Sequence, residues 1–171
     1  MIPIVWSERY AVHVDGLEKL FVFDVDKYTR IHDELIRRHL RRPDDFLTPE
    51  PLTERQLRVV HTPRYLEEIR HPAHAARYLE FPPVAMVPAP VYRERVLGPL
   101  VTNAGGTLLA AGQALEYGLA VNLGGGYAHA SADRGGGFCL IADVPIAVRI
   151  LQEEGRVERV LIIDTDCHHG Q

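Results

Sequence analysis

The residues best suited to chemistry lie in the stretch Val160–Gln171, VLIIDTDCHHGQ. Four apolar residues lead straight into Asp164, Asp166, His168 and His169. An uninterrupted apolar run predicts a strand buried on both faces, as in a parallel sheet. Side chains alternate along a strand, so Asp164, Asp166 and His168 are expected to point one way, with Thr165, Cys167 and His169 opposite. A carboxylate and an imidazole two residues apart, projecting together, suit a divalent cation such as zinc. They make only part of a site, because a catalytic zinc takes three protein ligands and keeps a fourth position for water. The competing reading is a solvated loop, or Asp164 capping a helix.

A second chemical stretch is GGGYAHASADRGGGF, residues 124–138. It lacks G-x-x-x-x-G-K-[ST], and its spacing does not match G-x-G-x-x-G opening a helix, so it is not a phosphate loop. Its six glycines let the backbone turn tightly and approach a ligand closely. His129 in such a loop, facing a metal site, could take a proton from water as that water attacks a carbonyl. The alternative is that the glycines only make turns and His129 bonds to backbone. Beside D-x-D-x-H, hydrolysis is the better supported of the two.

These residues need a scaffold. With 171 residues and 46% hydrophobic content, the chain is at most one ordinary domain with a real core. A net charge of −4 and a pI of about 6.1 leave no footprint for nucleic acid or an acidic membrane. Cys139 and Cys167 form no spaced framework, which fits a reducing compartment, with one disulfide between them left open. The start MIPIVW has no basic region or long apolar core, so no signal peptide is read. Leu97–Leu115 is too interrupted by Pro99, Asn103, Gly105 and Gly106 to span a membrane. A soluble, cytoplasmic protein is expected.

Along the chain, Ile2–Trp6 reads as a first strand, and residues 7–25 as a connection. A helix opens at Asp26, with Tyr28, Ile31, Leu35 and Ile36 inward and His32 and His39 on the solvated side. Pro43–Pro51 is a break. Thr53 with Gln56 predicts a capping box, and Thr62-Pro63 starts another helix. His61, His71 and His74 read as structural or exposed. Phe81–Pro90 reads as irregular, and the helical region to Glu116 is expected to bend at Pro99 and Gly105-Gly106. Leu119–Leu123 is a short buried strand. Asp143 is expected to cap a helix with Pro145 in its first turn, the stripe Val144, Ala147, Val148 and Leu151 inward, and Gly155 at its end. Strand, helix and strand then form a βαβ unit whose parallel strands open at one sheet edge, which places His129 beside Asp166 and His168.

The chain resembles the zinc-dependent histone deacetylase family, most closely its class IV branch. The resemblance runs from Ile4 to Gln171, through GLEKL, FDVDKY, VVHTPRYLEEI, FPPV, VLGPL, AGGT, NLGGGYAHASADRGGGFCLIADVPIA and IIDTDCHHG. It implies a three-layer α/β fold of the arginase/deacetylase kind, with a mainly parallel sheet between helices. It also implies that residues 1–171 are the N-terminal portion of a single catalytic domain continuing further. The activity implied is removal of an acetyl or longer acyl group from a lysine-bearing protein or a small acylated amine. By this resemblance Asp166 and His168 are two of three zinc ligands, and His129 is the general base and acid. Gly137 and Phe138 line the acyl-lysine channel. Asp164 supports the first histidine of an active-site pair, and its backbone helps hold a monovalent cation. Tyr127 and Asp133-Arg134 shape the glycine loop.

Three departures stand out. Ala128 replaces the first histidine of the pair, which also supports an alternative reading as a non-catalytic binding or scaffold member. Phe21-Val22 replaces a His-Pro at the rim. The family's third ligand (an aspartate) and its carbonyl-polarising tyrosine have no counterpart in residues 1–171. Asp24 and Asp143 are the remote candidates for that third ligand.

Overall fold

The structure is a computed structural model and describes residues 1–168; the expectation for His169 lies outside the described residues. A three-stranded parallel sheet forms its centre, in the order β2-β1-β3, with β1 Ile4–Val5, β2 Phe46–Leu47 and β3 Val121–Asn122. Ile4 pairs with Phe46 on one side and with Val121 on the other. Both residues of β1 are buried, as a central strand requires. β2 lies inside the stretch read as a break. β3 is shorter and more open than expected, with Val121 40% exposed, because it forms a sheet edge.

Among the described residues the helices are α1 Lys27–Arg37, α2 Glu54–Leu57, α3 Pro63–Glu68, α4 Pro72–Tyr78, α5 Ala89–Tyr92, α6 Gly98–Tyr117 and α7 Asp143–Glu153. The start signals at Thr53 and Thr62 are both used. Thr53 accepts from the Gln56 amide while Gln56 answers the Thr53 amide, and Thr62 accepts from the Tyr65 amide. A 3-10 turn, Pro82–Met86, orders part of the stretch read as irregular.

α6 runs unbroken through the expected bends. Pro99 occupies its first turn, where a missing N–H costs nothing. Gly105 and Gly106 are points of close approach: a Cβ on Gly105 would meet the Glu50 carbonyl, and one on Gly106 the Tyr10 hydroxyl. The irregularity instead falls one turn earlier, in the π-helical segment Arg93–Leu97.

The main core joins α3, α4, α5 and α7 around Tyr65, Ile69, Tyr92, Leu140, Ile141 and Ile146. Two buried phenols tie it internally: Tyr65 donates to the Leu140 carbonyl at 2.9 Å, and Tyr92 to that of Ile69 at 2.7 Å. Both hydroxyls titrate far above their usual range because burial disfavours the phenolate.

Three expectations are corrected. His32 is not solvated: it is buried and stacks on Trp6 at 3.6 Å, with Phe46 at 4.5 Å and Asp33 bonded to its Nδ1. Helical periodicity marked it polar, but the aromatic rings beside the sheet give an imidazole a flat surface to cover. The buried stripe of α7 is Ile146, Ala147, Ile150 and Leu151, turned from the expected face because Asp143 itself points inward. Finally, residues 160–165 form no strand. Leu161 is 82% and Ile163 77% exposed. A strand buried on both faces needs apolar partners on each, and among the described residues none covers these side chains. The βαβ unit is therefore not closed.

Candidate active site

The loop between β3 and α7 is held by side chains from beneath. Asn122 accepts from the Gly124 amide and Asn103 from that of Gly125, each at 3.2 Å. Asp143 then accepts from Gly126 and Tyr127, both at 2.8 Å, and from the Thr107 hydroxyl at 2.6 Å. The expected cap at Asp143 is thus corrected. Ala142 occupies the N-cap position, and the Asp143 side chain, fully buried, turns back under the loop. A buried carboxylate needs several donors to offset lost hydration, and two amides with a hydroxyl supply them. That arrangement also removes Asp143 as a metal ligand. Asp24 lines the cleft that holds Asp166 and His168, and it pairs with Arg30.

The far half of the loop is fixed separately. The Thr62 amide donates to the Ala132 carbonyl at 2.8 Å, and Phe138 donates to the Tyr78 carbonyl at 3.1 Å. Gly136 and Cys139 exchange two backbone bonds. Gly137 and Phe138 both take left-handed backbone, at φ +48° and +67°. The His129 ring lies directly on Gly137, where an added Cβ would stand 2.7 Å from its Cγ and Cδ2.

His61 anchors the end of this loop. It is 1% exposed, and its Nε2 accepts from the Ala142 amide at 3.0 Å, so the neutral ring carries its proton on Nδ1. Nδ1 faces the Ser131–Ala132 backbone without reaching bonding geometry. Burial pushes this imidazole below its ordinary value of 6.5. Its native pKa is depressed, so below pH 6.5 the unfolded chain gains a proton that native His61 refuses. This part of the stability is complete above pH 6.5 and falls as pH drops through the native value. Wild type should therefore lose more of its urea midpoint between pH 7.5 and 5 than His61→Gln does. Equal losses would count against this role.

One cleft of about 650 Å³ gathers Ala128, His129, Gly137, Phe138, Asp164, Asp166 and His168. The rings of His129 and His168 are 6.2 Å apart. Asp166 accepts from the His168 amide at 2.9 Å and pairs with its Nδ1 at 2.8 Å, bonds in which Nε2 takes no part. These bonds hold the Asp166 carboxyl at about 2. Asp164 is exposed and accepts from the Asp166 amide at 3.0 Å. The alternation expected of a strand is absent here. The chain bends at 166–168, so Asp166, Cys167 and His168 bring one ligand atom each to within 4.8 Å of the others.

Around the mouth, Phe23 and Phe21 pack edge-on against Phe138, with centroids at 4.6 and 5.6 Å, and Phe81 closes on Phe21 at 5.0 Å. Phe21-Val22, the rim departure, therefore contributes to an aromatic collar. Within the cleft Tyr28 is raised by burial, and Tyr127 well above its usual value for the same reason.

The sequence profile of the family described as "Histone deacetylase domain" matches residues 21–171. The chain belongs to this family. Histone deacetylase 2 of Arabidopsis thaliana is 37% identical over 169 residues, covering 99% of this chain and 44% of that protein. Acetoin utilization protein AcuC of Bacillus subtilis is 36% identical over 136 residues, covering 74% of this chain and 33% of AcuC. The chain thus spans less than half the length of either. Among solved structures, a histone deacetylase homologue from Aquifex aeolicus aligns with a TM-score of 0.59 at 18% identity, over 90% of this chain and 42% of that one. The HD domain of HDA15 gives 0.61 at 17%, over 90% and 44%. These last two likenesses establish the α/β deacetylase fold.

Within this deacetylase fold, sequence reasoning missed the polar groups under the loop. Asn103 and Thr107 carried a usable signal: two polar residues at i and i+4 on an otherwise apolar helix face are costly unless bonded.

Proposed function

We propose that residues 1–171 form the N-terminal portion of a single metal-dependent amide hydrolase domain of class IV type. It removes acetyl or longer acyl groups from lysine or a related amine. The observation that carries this reading is the convergence of His129, Asp166 and His168 on one cleft, with the two imidazoles 6.2 Å apart. The lengths of the relatives support the view that the domain continues past this chain.

The donor set fits zinc: the ionised Asp166 carboxylate and the His168 imidazole each bring a ligand atom to within 4.8 Å of the other. Asp166 and His168 would hold the ion, with a third ligand from outside residues 1–171. A bound divalent cation supplies Lewis acidity to an amide carbonyl and a more acidic water. His129 takes a proton from the attacking water and delivers it to the leaving amine nitrogen. Gly137 and the Phe138 ring line the path of the acyl-lysine, and the aromatic collar shields the aliphatic stem of the lysine from water. The two free thiols, Cys139 and Cys167, agree with a reducing, cytoplasmic setting. Among the described residues no helix is long and apolar enough to cross a membrane.

The test is hydrolysis of acyl-lysine peptides of graded chain length by the longer polypeptide that contains this chain. Turnover should vanish with a chelator and return with zinc. Turnover that survives complete metal removal would overturn the metal-dependent reading. Zinc binding without turnover would instead favour the scaffold reading that Ala128 motivates.

A further inference from the structure

We propose that Asp143 is a positioning residue that sets the place of His129 from beneath the loop. The proposal rests on the hydrolase reading of His129 given above. Asp143 is fully buried and does not itself line the cleft, although Gly126 and Tyr127, which it holds, do. Its two oxygens take the successive amides of Gly126 and Tyr127 at 2.8 Å, and His129 follows two residues later.

The amides of Gly126 and Tyr127 bond to the Asp143 side chain rather than to backbone. Gly125 and Gly126 both have left-handed φ, +78° and +79°. Successive residues of this kind direct their amides away from any regular ladder, so these two amides rely on a side-chain acceptor. A carboxylate bridging two consecutive amides fixes both orientations at once, and charge-assisted bonds of this kind are the stronger class. The Thr107 hydroxyl, at 2.6 Å, holds the carboxylate in turn, so that α6 and the first turn of α7 define the loop together.

The residues proposed to touch substrate are fixed by other bonds. Phe138 donates to the Tyr78 carbonyl, and Gly136 and Cys139 pair with each other. Loosening Asp143 should thus move His129 and leave the acyl-lysine channel in place. The kinetic signature is a fall in kcat with KM held, and a merely structural residue would not separate the two. A displacement of about 1 Å in a catalytic group costs roughly 10²-fold.

Asp143→Asn keeps one oxygen acceptor and places an NH2 against the other donor. Two readouts follow. Amide exchange at Gly126 and Tyr127 should rise about tenfold while the core amides of α6 stay protected, and the His129 ring resonances should shift. In the longer, active polypeptide kcat should fall roughly 10- to 100-fold with KM unchanged. Thr107→Val, which removes one donor and keeps the carboxylate, should give a smaller change in the same direction. It also serves as the test if Asp143→Asn does not fold. Unchanged exchange at Gly126 and Tyr127, or KM and kcat moving together, would overturn the proposal. If wild type hydrolyses no substrate, the hydrolase reading falls, and exchange with the His129 resonances alone decides whether Asp143 places that ring.

Discussion

Gly137→Ala should cost hydrolysis about as much as deleting the His129 imidazole, on the order of 10²–10⁴-fold in kcat/KM. The new Cβ would stand 2.7 Å from Cγ and Cδ2 of His129 and 3.0 Å from its Cβ. Those are the near atoms of the side chain, and no swing of a flexible tip relieves them. The ring must leave its place, or the loop must open. Backbone strain adds a smaller penalty, about 1 kcal/mol for a residue with a Cβ at φ +48°. Fold stability should therefore change little compared with activity. A double-variant cycle distinguishes the cause. If alanine acts by displacing His129, then Gly137→Ala with His129→Ala should be no slower than His129→Ala alone. Additive losses would show that Gly137 serves the acyl-lysine channel independently.

How much of this was legible in the sequence depends on what kind of signal each residue gave. His129, Asp166 and His168 could be singled out because an imidazole in a glycine-rich loop and a D-x-D-x-H run are chemically conspicuous, and the cleft does gather them. The helix starts at Thr53 and Thr62 were legible because capping is local: donor and acceptor lie three residues apart. Asp143 was misread for a related reason. Its position before an apolar stripe matches a cap, and only the path of the loop from β3 shows that two amides arrive there from 16 and 17 residues upstream. His32 shows the limit of periodicity, which separates polar from apolar faces but cannot report that Trp6 and Phe46 lie beneath one imidazole. The run Val160–Ile163 shows another limit. Apolar composition states what a segment could bury, whereas burial itself depends on layers supplied elsewhere.

Ala128→His should raise kcat by roughly 10²–10³-fold, the usual worth of one preorganised hydrogen-bonding group at a site of developing charge. Ala128 lines the cleft beside His129, half-buried, and its amide is already bonded to the Gly126 carbonyl at 3.0 Å. An imidazole added there would extend from a residue that already lines the cleft. Asp164 lines the same cleft, and of its oxygens Oδ1 accepts the Asp166 amide. We expect this carboxylate to orient the new ring and to stabilise its protonated form. The gain should accordingly shrink when Asp164→Asn is combined with Ala128→His, while Asp164→Asn alone should matter less in the natural background, where no such ring exists. Two outcomes divide the functional readings. Measurable turnover by the natural protein, increased by the histidine, means that one imidazole carries both proton transfers and that the second only accelerates them. Turnover by the variant alone means that the cleft and metal ligands are competent and that Ala128 has turned a deacylase scaffold into a binder of acylated amines. In that second case the natural protein should still retain acyl-lysine peptides in a zinc-dependent manner, because Asp166, His168 and Phe138 are untouched by the change at Ala128.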